Sequence, residues 1–419
     1  GGAGVSAALK LVLLAPNIDV SDVGEAHVAA RWAEALSERV DLTVLAFQRP
    51  GRPPLATQLP KAEVVTWPEP TFLLRAERLN AMLKPGYPLL LRHVRRWMRD
   101  QAARGRRFDI AHQIMPLAAR YPSPFCGLGV PYVLGPVGGT LPTPPGFVGE
   151  MGSAPWFTRL RALDAWRFRR DPWLRRTYAD ADLVLGVAPY IREALADIPL
   201  KRFEPMLELG IDALPPERPV RAGTGLGGAG LRLLHVGRAV RTKGLRDVIR
   251  ALAQLSDLPD VTLTAIGDGE DLPRARDEAA ALGVADRVTF CGRQPKEAVM
   301  AAYADADLFT FPSFREPTGG VLYEAMQMGL PIITTDYGGP AFITDQACAI
   351  RLPLSTPEAL ARDIAAAIRN LYHDPDRRAA MGAASRTRVA AEGLWPRKID
   401  RLLGLYDEVL AARPDRNET

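Results

Sequence analysis

Short apolar runs alternate along the chain with longer segments of helical periodicity. The first run ends at Ala15-Pro16, and a helical pattern follows through Val28, Trp32 and Leu36. The runs that we interpret as strands of the first half are Leu9–Leu14, Leu42–Leu45, Ala62–Val65, Phe108–Ala111, Tyr132–Leu134 and Leu183–Leu185. Because short β-rich runs separated by helical segments are typical of βαβ units, the pattern predicts a parallel sheet.

The same alternation restarts in the second half of the chain. Before the restart it weakens, and the Pro- and Gly-rich runs Leu214–Pro219 and Gly223–Gly228 indicate a linker. The strand candidates beyond the linker are Leu231–Val236, Val261–Ile266, Val288–Phe290, Leu308–Phe311 and Pro331–Thr334. Since 419 residues are too many for one ordinary core, two domains are expected. We predict an N-terminal domain over residues 1–212, a linker over 213–230 and a C-terminal domain over 231–393.

One short sequence occurs twice. Tyr178–Leu183 recurs as Tyr303–Leu308, and each copy closes a predicted helix and opens a predicted strand. The echo favours two related Rossmann-like halves, with a chance repeat in an alanine-rich chain as the alternative. Each copy contains Asp-x-Asp, a pattern that can bind Mg²⁺. Both copies precede strands, whereas ligands of open α/β sheets bind beyond the carboxyl ends, so we interpret these aspartates as structural and predict no metal.

The composition narrows the classes of protein. Hydrophobic residues make up 47% and charged residues 24%, which is typical of a globular enzyme. Cys126, Cys291 and Cys348 lie far apart, which favours a reduced, cytoplasmic setting over a disulfide framework. A net charge of +5 permits an anionic ligand or membrane without requiring one, and we expect no nucleic-acid partner.

Candidate binding residues follow the C-terminal strands. Gly237-Arg238 and Arg241–Gly244 come after Val236, and this glycine turn with cations before a helix can cradle a diphosphate. A solvated basic loop explains the same residues equally well. Gly267-Asp268-Gly269, after the next strand candidate, can approach a nucleotide but is also ordinary turn chemistry.

The run Pro312–Met326 is the most informative. Glu316 follows a strand candidate, and Gly319-Gly320 would open a helix whose free N–H groups suit phosphate oxygens. Glu324 can point from that helix back toward the same crevice, and both carboxylates could accept hydrogen bonds from sugar and ribose hydroxyls. The alternative is a carboxylate favoured by the helix dipole together with a solvated helix glutamate.

The ordered set of motifs resembles the retaining glycosyltransferases of family 4, which have the GT-B fold. The motifs are G-R-x4-K-G at 237–244, G-D-G at 267–269, P-S-x2-E-x7-E-A-M at 312–326, Gly329–Pro331 and Gly338-Gly339. The resemblance covers roughly residues 231–345. It implies two facing Rossmann-like domains with a cleft between them, and a C-terminal helix at 394–412 that crosses back to the N-terminal domain.

The resemblance also implies roles for single residues. Arg238 and Lys243 would bind the diphosphate of a nucleoside-diphosphate sugar, Glu316 the donor sugar and Glu324 the ribose. Arg293 would lie near the base. Transfer to an acceptor hydroxyl would retain the anomeric configuration and need no obligatory metal or cofactor.

The N-terminal half resembles the family more loosely. Gly24 lies where a glycine loop usually approaches the donor phosphate. The family often has a histidine after the strand at Tyr132–Leu134, where this chain has Gly135–Thr140. His112 is the nearby substitute, as an active-site residue or as a buried structural histidine. Pro317-Thr318 replaces the usual Gly-Phe, which changes the wall facing the sugar.

Two basic stretches bear on the acceptor. Residues 73–107 contain ten Arg or Lys against two acids, and 156–176 contain seven arginines with several aromatics. Such stretches suit peripheral contact with the anionic inner face of the cell membrane. The alternative is that they are ordinary helix faces packed on a sheet. Membrane contact would favour a lipid-linked or cell-envelope saccharide as acceptor; otherwise a small molecule stays open.

Other functions remain to be compared. A Rossmann oxidoreductase would place G-x-G-x-x-G after the first strand of a domain, and neither half does. Another GT-B enzyme, such as a sugar-nucleotide epimerase, and a non-catalytic sugar-nucleotide-binding protein stay open as alternatives.

Overall fold

The computed structural model describes residues 8–22, 24–70, 84–152, 162–218 and 230–413. The chain divides into two compact units. The first unit comprises Gly1–Thr140, Trp156–Glu208 and Trp395–Thr419, and the second comprises Leu141–Pro155 and Leu209–Leu394. Residues 219–229 of the predicted linker and the beginnings of both basic stretches, 73–83 and 156–161, lie outside the described residues.

The first unit is built on a seven-stranded parallel sheet with the order β3-β2-β1-β4-β5-β6-β7. Its strands are β1 (Lys10–Leu14), β2 (Asp41–Gln48), β3 (Glu63–Pro68), β4 (Ile110–Gln113), β5 (Tyr132–Val137), β6 (Leu183–Gly186) and β7 (Phe203–Pro205). Every residue of β4, β5 and β6 is buried, because helices cover both faces of a parallel sheet.

In the part of the chain that the structure describes, six helices lie between these strands in sequence, and a seventh comes from the end of the chain. They are α1 (Glu25–Ser37), α2 (Leu55–Gln58), α3 (Tyr87–Ala103), α4 (Ala162–Arg170), α5 (Pro172–Asp180) and α6 (Tyr190–Ala194). The last helix, Trp395–Ala411, packs in the same core: the rings of Trp395 and Trp32 meet edge to face at 5.3 Å. Lys398 donates to the carbonyl of Leu207 at 2.7 Å. The predicted return of the C-terminal helix to the first unit is therefore confirmed.

The second unit has a six-stranded parallel sheet with the order β10-β9-β8-β11-β12-β13. Its strands are β8 (Leu231–Val236), β9 (Val261–Ile266), β10 (Val288–Gly292), β11 (Leu308–Phe311), β12 (Ile332–Thr335) and β13 (Ala349–Leu352). Its helices are α7 (Leu245–Ala253), α8 (Leu272–Ala281), α9 (Lys296–Asp305), α10 (Gly320–Gln327), α11 (Gly338–Ile343), α12 (Pro357–Tyr372) and α13 (Pro375–Glu392), which makes Trp395–Ala411 α14. Both units are Rossmann-like α/β folds, as the alternating pattern predicts.

One segment of the N-terminal half of the sequence belongs to the second unit. Between β5 and α4, the segment Leu141–Pro155 belongs to the second unit and includes a 3-10 helix at Pro145–Glu150. Phe147 is fully buried in the core of that unit. The core of the second unit therefore includes residues that precede the predicted linker by some way in sequence.

The repeated sequence lies at places that are not equivalent in the two sheets. In sheet order β6 is the third strand beyond β1, whereas β11 is the direct neighbour of β8. What the copies share is a local hydrogen-bond pattern. Asp182 exchanges backbone and carboxylate hydrogen bonds with the start of β5 at Tyr132, and Asp307 does the same with Arg232 of β8. These contacts assign the repeated aspartates a structural role at the amino ends of the strands, and they remove the echo as support for duplication.

Within the described ranges, no helix has both the length and the apolar character that are needed to span a lipid bilayer.

Candidate functional site

The loops after β8 and β9 pack against each other through backbone. The N–H of Gly237 donates to the carbonyl of Ile266 at 3.0 Å, and that of Ala239 donates to Asp268 at 3.0 Å. A Cβ atom on Gly267 would lie 1.8 Å from the carbonyl oxygen of Gly237, so no larger residue fits there. The G-D-G turn therefore brings two strand ends into direct contact at the carboxyl edge of the sheet.

Lys243 ends a 3-10 turn, Arg241–Lys243, that is held against the loop after β11. Gly244 follows with φ 81°, and a Cβ atom there would lie 2.3 Å from the carbonyl oxygen of Pro312. Both the left-handed backbone and the close approach require glycine. The carbonyl of Thr242 accepts hydrogen bonds from the Phe314 N–H at 3.0 Å and from the Ser313 hydroxyl at 2.8 Å. Turn and loop are thus one connected structure.

The side chain of Lys243 forms an ion pair with the carboxylate of Glu316. Glu316 is buried, and its second carboxylate oxygen accepts from the Thr318 N–H at 3.2 Å. The ammonium of Lys243 also lies 5.9 Å from the centroid of the Phe311 ring. The structure therefore brings together a cation from the β8 loop and a carboxylate from the β11 loop.

A buried histidine supports Lys243 from below. His235, on β8, is 1% exposed, and its Nε2 lies 3.0 Å from the carbonyl oxygen of Lys243. Burial lowers the pKa of His235 from 6.5 to about 4, so the ring is neutral at pH 7 and donates Nε2–H to that carbonyl. The sequence gives no sign of this contact, because His235 lies inside an apolar strand.

Gly319 and Gly320 form the predicted helix start. Gly319 is the N-cap residue with φ 98°, and Gly320 is the first residue of α10. Glu324 lies one turn further along and accepts a hydrogen bond from the Tyr303 hydroxyl at 3.0 Å. Burial raises the pKa of Glu324, while the bond to Tyr303 opposes this rise. Tyr303 is a residue that the sequence analysis notes only as part of the repeat.

The other predicted donor residues are more exposed. Arg238 is exposed, and within the described part of the chain its guanidinium makes no ion pair. Asp268 is exposed as well and accepts from the Gly269 N–H of its own turn at 2.8 Å. Arg293 is exposed directly after β10, which ends at Gly292. Arg238, Asp268 and Arg293 thus lie beyond the carboxyl ends of β8, β9 and β10.

Arg241 departs from the prediction that its whole basic run forms a cradle. Its guanidinium is buried and binds both carboxylate oxygens of Asp247, at 2.6 and 3.0 Å. Burial works against its charge, but the bonds to Asp247 and Glu150 raise its pKa above the ordinary value. Arg241 is therefore committed to the interior of the second unit, and Lys243 alone of this run faces Glu316.

His112 and Gly24 lie in the first unit. His112 is fully buried on β4, with Nδ1 2.5 Å from the Tyr406 hydroxyl and Nε2 2.5 Å from the carbonyl oxygen of Gly135. Burial lowers its pKa to about 4. Since both ring nitrogens have hydrogen-bond partners, this geometry favours the structural alternative over the active-site role. Gly24 is the exposed N-cap of α1, with φ 68°.

Comparison with known proteins places this geometry in a family. Residues 220–388 match the family described as Glycosyl transferases group 1. This part of the chain is a group 1 glycosyltransferase domain. The match covers the strands, turns and loops that carry Lys243, Glu316 and Glu324, and the earlier resemblance to family 4 agrees with it.

Relatives whose names state an activity are similar to about half of the chain. A GDP-mannose-dependent alpha-(1-6)-phosphatidylinositol monomannoside mannosyltransferase of Mycolicibacterium smegmatis is 31% identical over 258 residues, which is 57% of this chain and 66% of the relative. A D-inositol 3-phosphate glycosyltransferase of Segniliparus rotundus is 32% identical over 214 residues, 49% of this chain and 46% of the relative. Both alignments cover less than two thirds of the relative's own length.

Solved structures match over nearly the whole chain. HepE of Anabaena in complex with UDP and glucose has a TM-score of 0.57 at 18% identity, over 97% of this chain and 100% of that chain. Sucrose-phosphate synthase of Thermosynechococcus elongatus has a TM-score of 0.62 at 19% identity, over 97% and 100%. At such identities the likeness shows the fold, which is GT-B, with two Rossmann-like domains.

Proposed function

We propose that this protein is a retaining glycosyltransferase that moves a sugar from a nucleoside-diphosphate sugar to an acceptor hydroxyl. The observation that carries the proposal is the ion pair of Lys243 and Glu316. Lys243 comes from the turn after β8, and Glu316 lies three residues before the N-cap of α10. A cation, a carboxylate and a helix start are the groups that a diphosphate linked to a sugar requires.

The reaction needs charge stabilisation more than proton transfer. When the bond from the anomeric carbon to the diphosphate oxygen breaks, negative charge grows on the diphosphate. Lys243, Arg238 and the N–H groups of Gly319 and Gly320 would stabilise that charge, each by about 2–4 kcal/mol in the transition state. The acceptor oxygen then bonds to the anomeric carbon from the face that the diphosphate leaves, and its proton passes to the departing phosphate. The anomeric configuration is thereby retained.

The remaining donor residues would hold the nucleoside and the sugar. Gly237, Gly267 and Asp268 line the strand ends where the nucleotide would lie, and Arg293 would flank the base. Glu324 would accept hydrogen bonds from the ribose, and Tyr303 fixes its carboxylate for that purpose. Glu316 would accept from the donor sugar beside Thr318. UDP in the structure of HepE and GDP-mannose in the name of the mycobacterial relative make UDP-sugars and GDP-sugars the first two donor classes to test.

A membrane-linked acceptor is supported by one surface of the first unit. Leu163, Trp166 and Trp173, on α4 and α5, are exposed to 53, 60 and 45%, and five arginines lie near them in sequence, at 167, 169, 170, 175 and 176. By contrast, α3 buries Tyr87, Leu90, Leu91, Val94 and Met98 and exposes Leu89 to 38%, so the first basic stretch, where described, fits the alternative of a helix face packed on the sheet. We therefore place the contact with anionic lipid at α4 and α5 and favour a lipid-linked saccharide as acceptor.

Vesicle flotation tests this surface. The Trp166→Ser, Trp173→Ser double variant should lose binding to vesicles that contain anionic lipid, while Leu282→Ser, which removes an exposed side chain of the second unit, should keep it. Equal binding by all three proteins would refute the surface at α4 and α5, and no binding by the wild type would refute the lipid contact and leave a small soluble acceptor.

Thermal shift tests the donor site. The wild type should be stabilised by one of UDP, GDP and ADP at fixed salt, because a ligand that binds only the folded state raises its stability. Lys243→Ala should lose this effect, and Lys61→Ala, which removes an exposed lysine of the first unit, should keep it. An equal ligand shift in Lys243→Ala would refute the role of Lys243.

Product analysis then separates the functions. Release of nucleoside diphosphate with transfer of the sugar would support a transferase. A changed sugar nucleotide without transfer would indicate an epimerase. Binding without any conversion, with the full range of acceptors, would indicate a sugar-nucleotide-binding protein.

A further inference from the structure

The segment Leu141–Gly152, which we name the crossing segment, lies in the second unit behind the loops of the donor site. Phe147, within it, is fully buried and stacks on Phe314, with ring centroids 4.5 Å apart and planes at 29°. Phe314 is two residues before Glu316, and its N–H is bonded to Thr242. The crossing segment therefore packs directly on the backbone that carries Glu316.

A second contact of the crossing segment reaches the turn that carries Lys243. The carboxylate of Glu150 accepts from Nε of Arg241 at 2.6 Å and lies 3.4 Å from the guanidinium of Arg250. Burial alone would raise the pKa of Glu150, but the hydrogen bond and charge of Arg241 lower it overall. Arg241 also binds Asp247, and Arg250 also binds Glu278. Loss of the Glu150 charge would remove one of the two carboxylates that hold the buried guanidinium of Arg241, two residues from Lys243.

Further contacts fasten the beginning of the crossing segment. Arg315 donates to the hydroxyl of Thr143 at 3.2 Å, and the Tyr337 hydroxyl donates to the carbonyl of Pro142 at 2.8 Å. Arg315 is the neighbour of Glu316, and Tyr337 is the N-cap of α11. Four residues of the segment thus contact the β8 turn, the β11 loop and the start of α11.

We infer that Phe147 and Glu150 are positioning residues, which hold the Arg241–Lys243 turn and the Pro312–Thr318 loop in the geometry that binds the donor. The inference rests on the proposed function for its ligand, a nucleoside diphosphate. Neither side chain is placed in contact with that ligand. Phe147 acts through Phe314 on Glu316, and Glu150 acts through Arg241 on Lys243.

The charge contact allows a closely matched test. Glu278 also pairs with Arg250, and with Arg246, but not with Arg241. Glu150→Gln should bind the preferred nucleoside diphosphate about tenfold more weakly than the wild type in a calorimetric titration, whereas Glu278→Gln should bind it normally. Glu150→Asp, which keeps the charge, should recover part of the affinity. Equal affinity of Glu150→Gln and Glu278→Gln would overturn the inference.

The apolar contact is tested in the same way. Phe147→Leu should weaken nucleoside-diphosphate binding, while Phe125→Leu, at a fully buried site of the first unit, should lower stability without changing the affinity. Titrations are made at a temperature where every variant is folded. This separates loss of position from loss of folded protein.

Hydrogen exchange supplies a readout that needs no ligand. The Phe314 N–H, bonded to Thr242, reports directly on the junction of turn and loop. Its exchange should accelerate in Glu150→Gln and in Phe147→Leu, and not in Glu278→Gln or Phe125→Leu. If the wild type bound no nucleoside diphosphate but these exchange rates rose, the proposed function would fail and the positioning would stand. Unchanged exchange in the first pair would refute the positioning itself.

Discussion

The two units each bury one histidine under the carboxyl end of a parallel sheet, and the partners of the two rings differ. His112, in the first unit, is bonded to the Gly135 carbonyl and to Tyr406 of the last helix. His235, in the second unit, is bonded to the carbonyl of Lys243. Both rings are neutral at pH 7, since burial lowers each pKa to about 4. One histidine closes a core, and the other holds a residue of the candidate site.

The comparison teaches that burial and an altered pKa do not identify a site residue. By those measures His112 and His235 are the same, and only the identity of the bonded carbonyl separates them. The largest expected difference between the units should therefore come from residues that face the ligand, and smaller differences should come from the groups beneath them.

Glu316→Gln should give the largest effect. Loss of the carboxylate leaves Lys243 without its counter-ion and removes the hydrogen-bond acceptor proposed for the hydroxyls of the donor sugar. We therefore expect turnover to fall by about 10²- to 10³-fold. Glu63→Gln, which removes a carboxylate paired with Arg106 in the first unit, should leave turnover unchanged. Steady-state kinetics with the identified donor measures both. A fall of the same size in Glu63→Gln would contradict the assignment of the donor site to the second unit.

Acidification should lower the free energy of unfolding through both histidines. Their pKa values are about 4 in the folded chain and 6.5 as the ordinary value, so the unfolded chain takes up protons first as the pH falls. The folded state keeps its full stability above pH 6.5 and loses it progressively down to pH 4, by on the order of 3 kcal/mol for each histidine. Denaturant titrations over this range measure the loss. In the His112→Leu, His235→Leu double variant, the loss of stability that the two histidines cause should vanish. A pH dependence like that of the wild type would refute the lowered pKa values.

The single histidine variants sharpen the comparison. His235→Leu leaves the Lys243 carbonyl without its donor and should weaken nucleoside-diphosphate binding by about fivefold, equivalent to about 1 kcal/mol. His112→Leu should lower the free energy of unfolding but leave the binding unchanged. Calorimetric titration of both variants decides the matter. Weaker binding by His112→Leu alone would favour the active-site role for this residue.

The smallest effect is expected at Glu324. Burial raises its folded pKa above the ordinary 4.5, so ionisation costs stability as the pH rises above that value. Glu324→Gln should therefore be more stable relative to the wild type at pH 7 than at pH 4, while its donor binding falls. A stability difference that does not change with pH would show that the carboxyl is not desolvated.

Much of the fold can be predicted from the sequence, because apolar runs of four to six residues are a direct signature of buried parallel strands. The spacing of glycines, Lys243 and Glu316 also locates the candidate donor site, since each position depends on a local turn or helix start. The repeat of Tyr178–Leu183 gives a misleading signal. An aspartate before a strand can bond to the start of a neighbouring strand at several positions in a sheet. Its recurrence therefore does not indicate that the two strands occupy equivalent positions.

The tertiary contacts of single residues could not be predicted from the sequence. The run around Phe147 is rich in Pro and Gly and has no period, so nothing local indicates that its one aromatic ring enters the core of the second unit. Arg241 and Lys243 are two positions apart in one basic run, yet Arg241 is buried because its guanidinium binds Asp247 and Glu150. Such choices depend on which carboxylates the fold brings near.

The crossing segment and the last helix have a consequence for the order in which the protein folds during synthesis. The second unit needs Phe147, which leaves the ribosome long before β8, and the first unit needs Trp395 and the helix that follows it, which leave last. The core of the second unit is complete once Met381 has emerged, whereas the core of the first unit waits for α14. Folding on the ribosome therefore cannot finish the N-terminal unit first, and a nascent chain that stalls before residue 395 leaves Trp32 without its contact to Trp395.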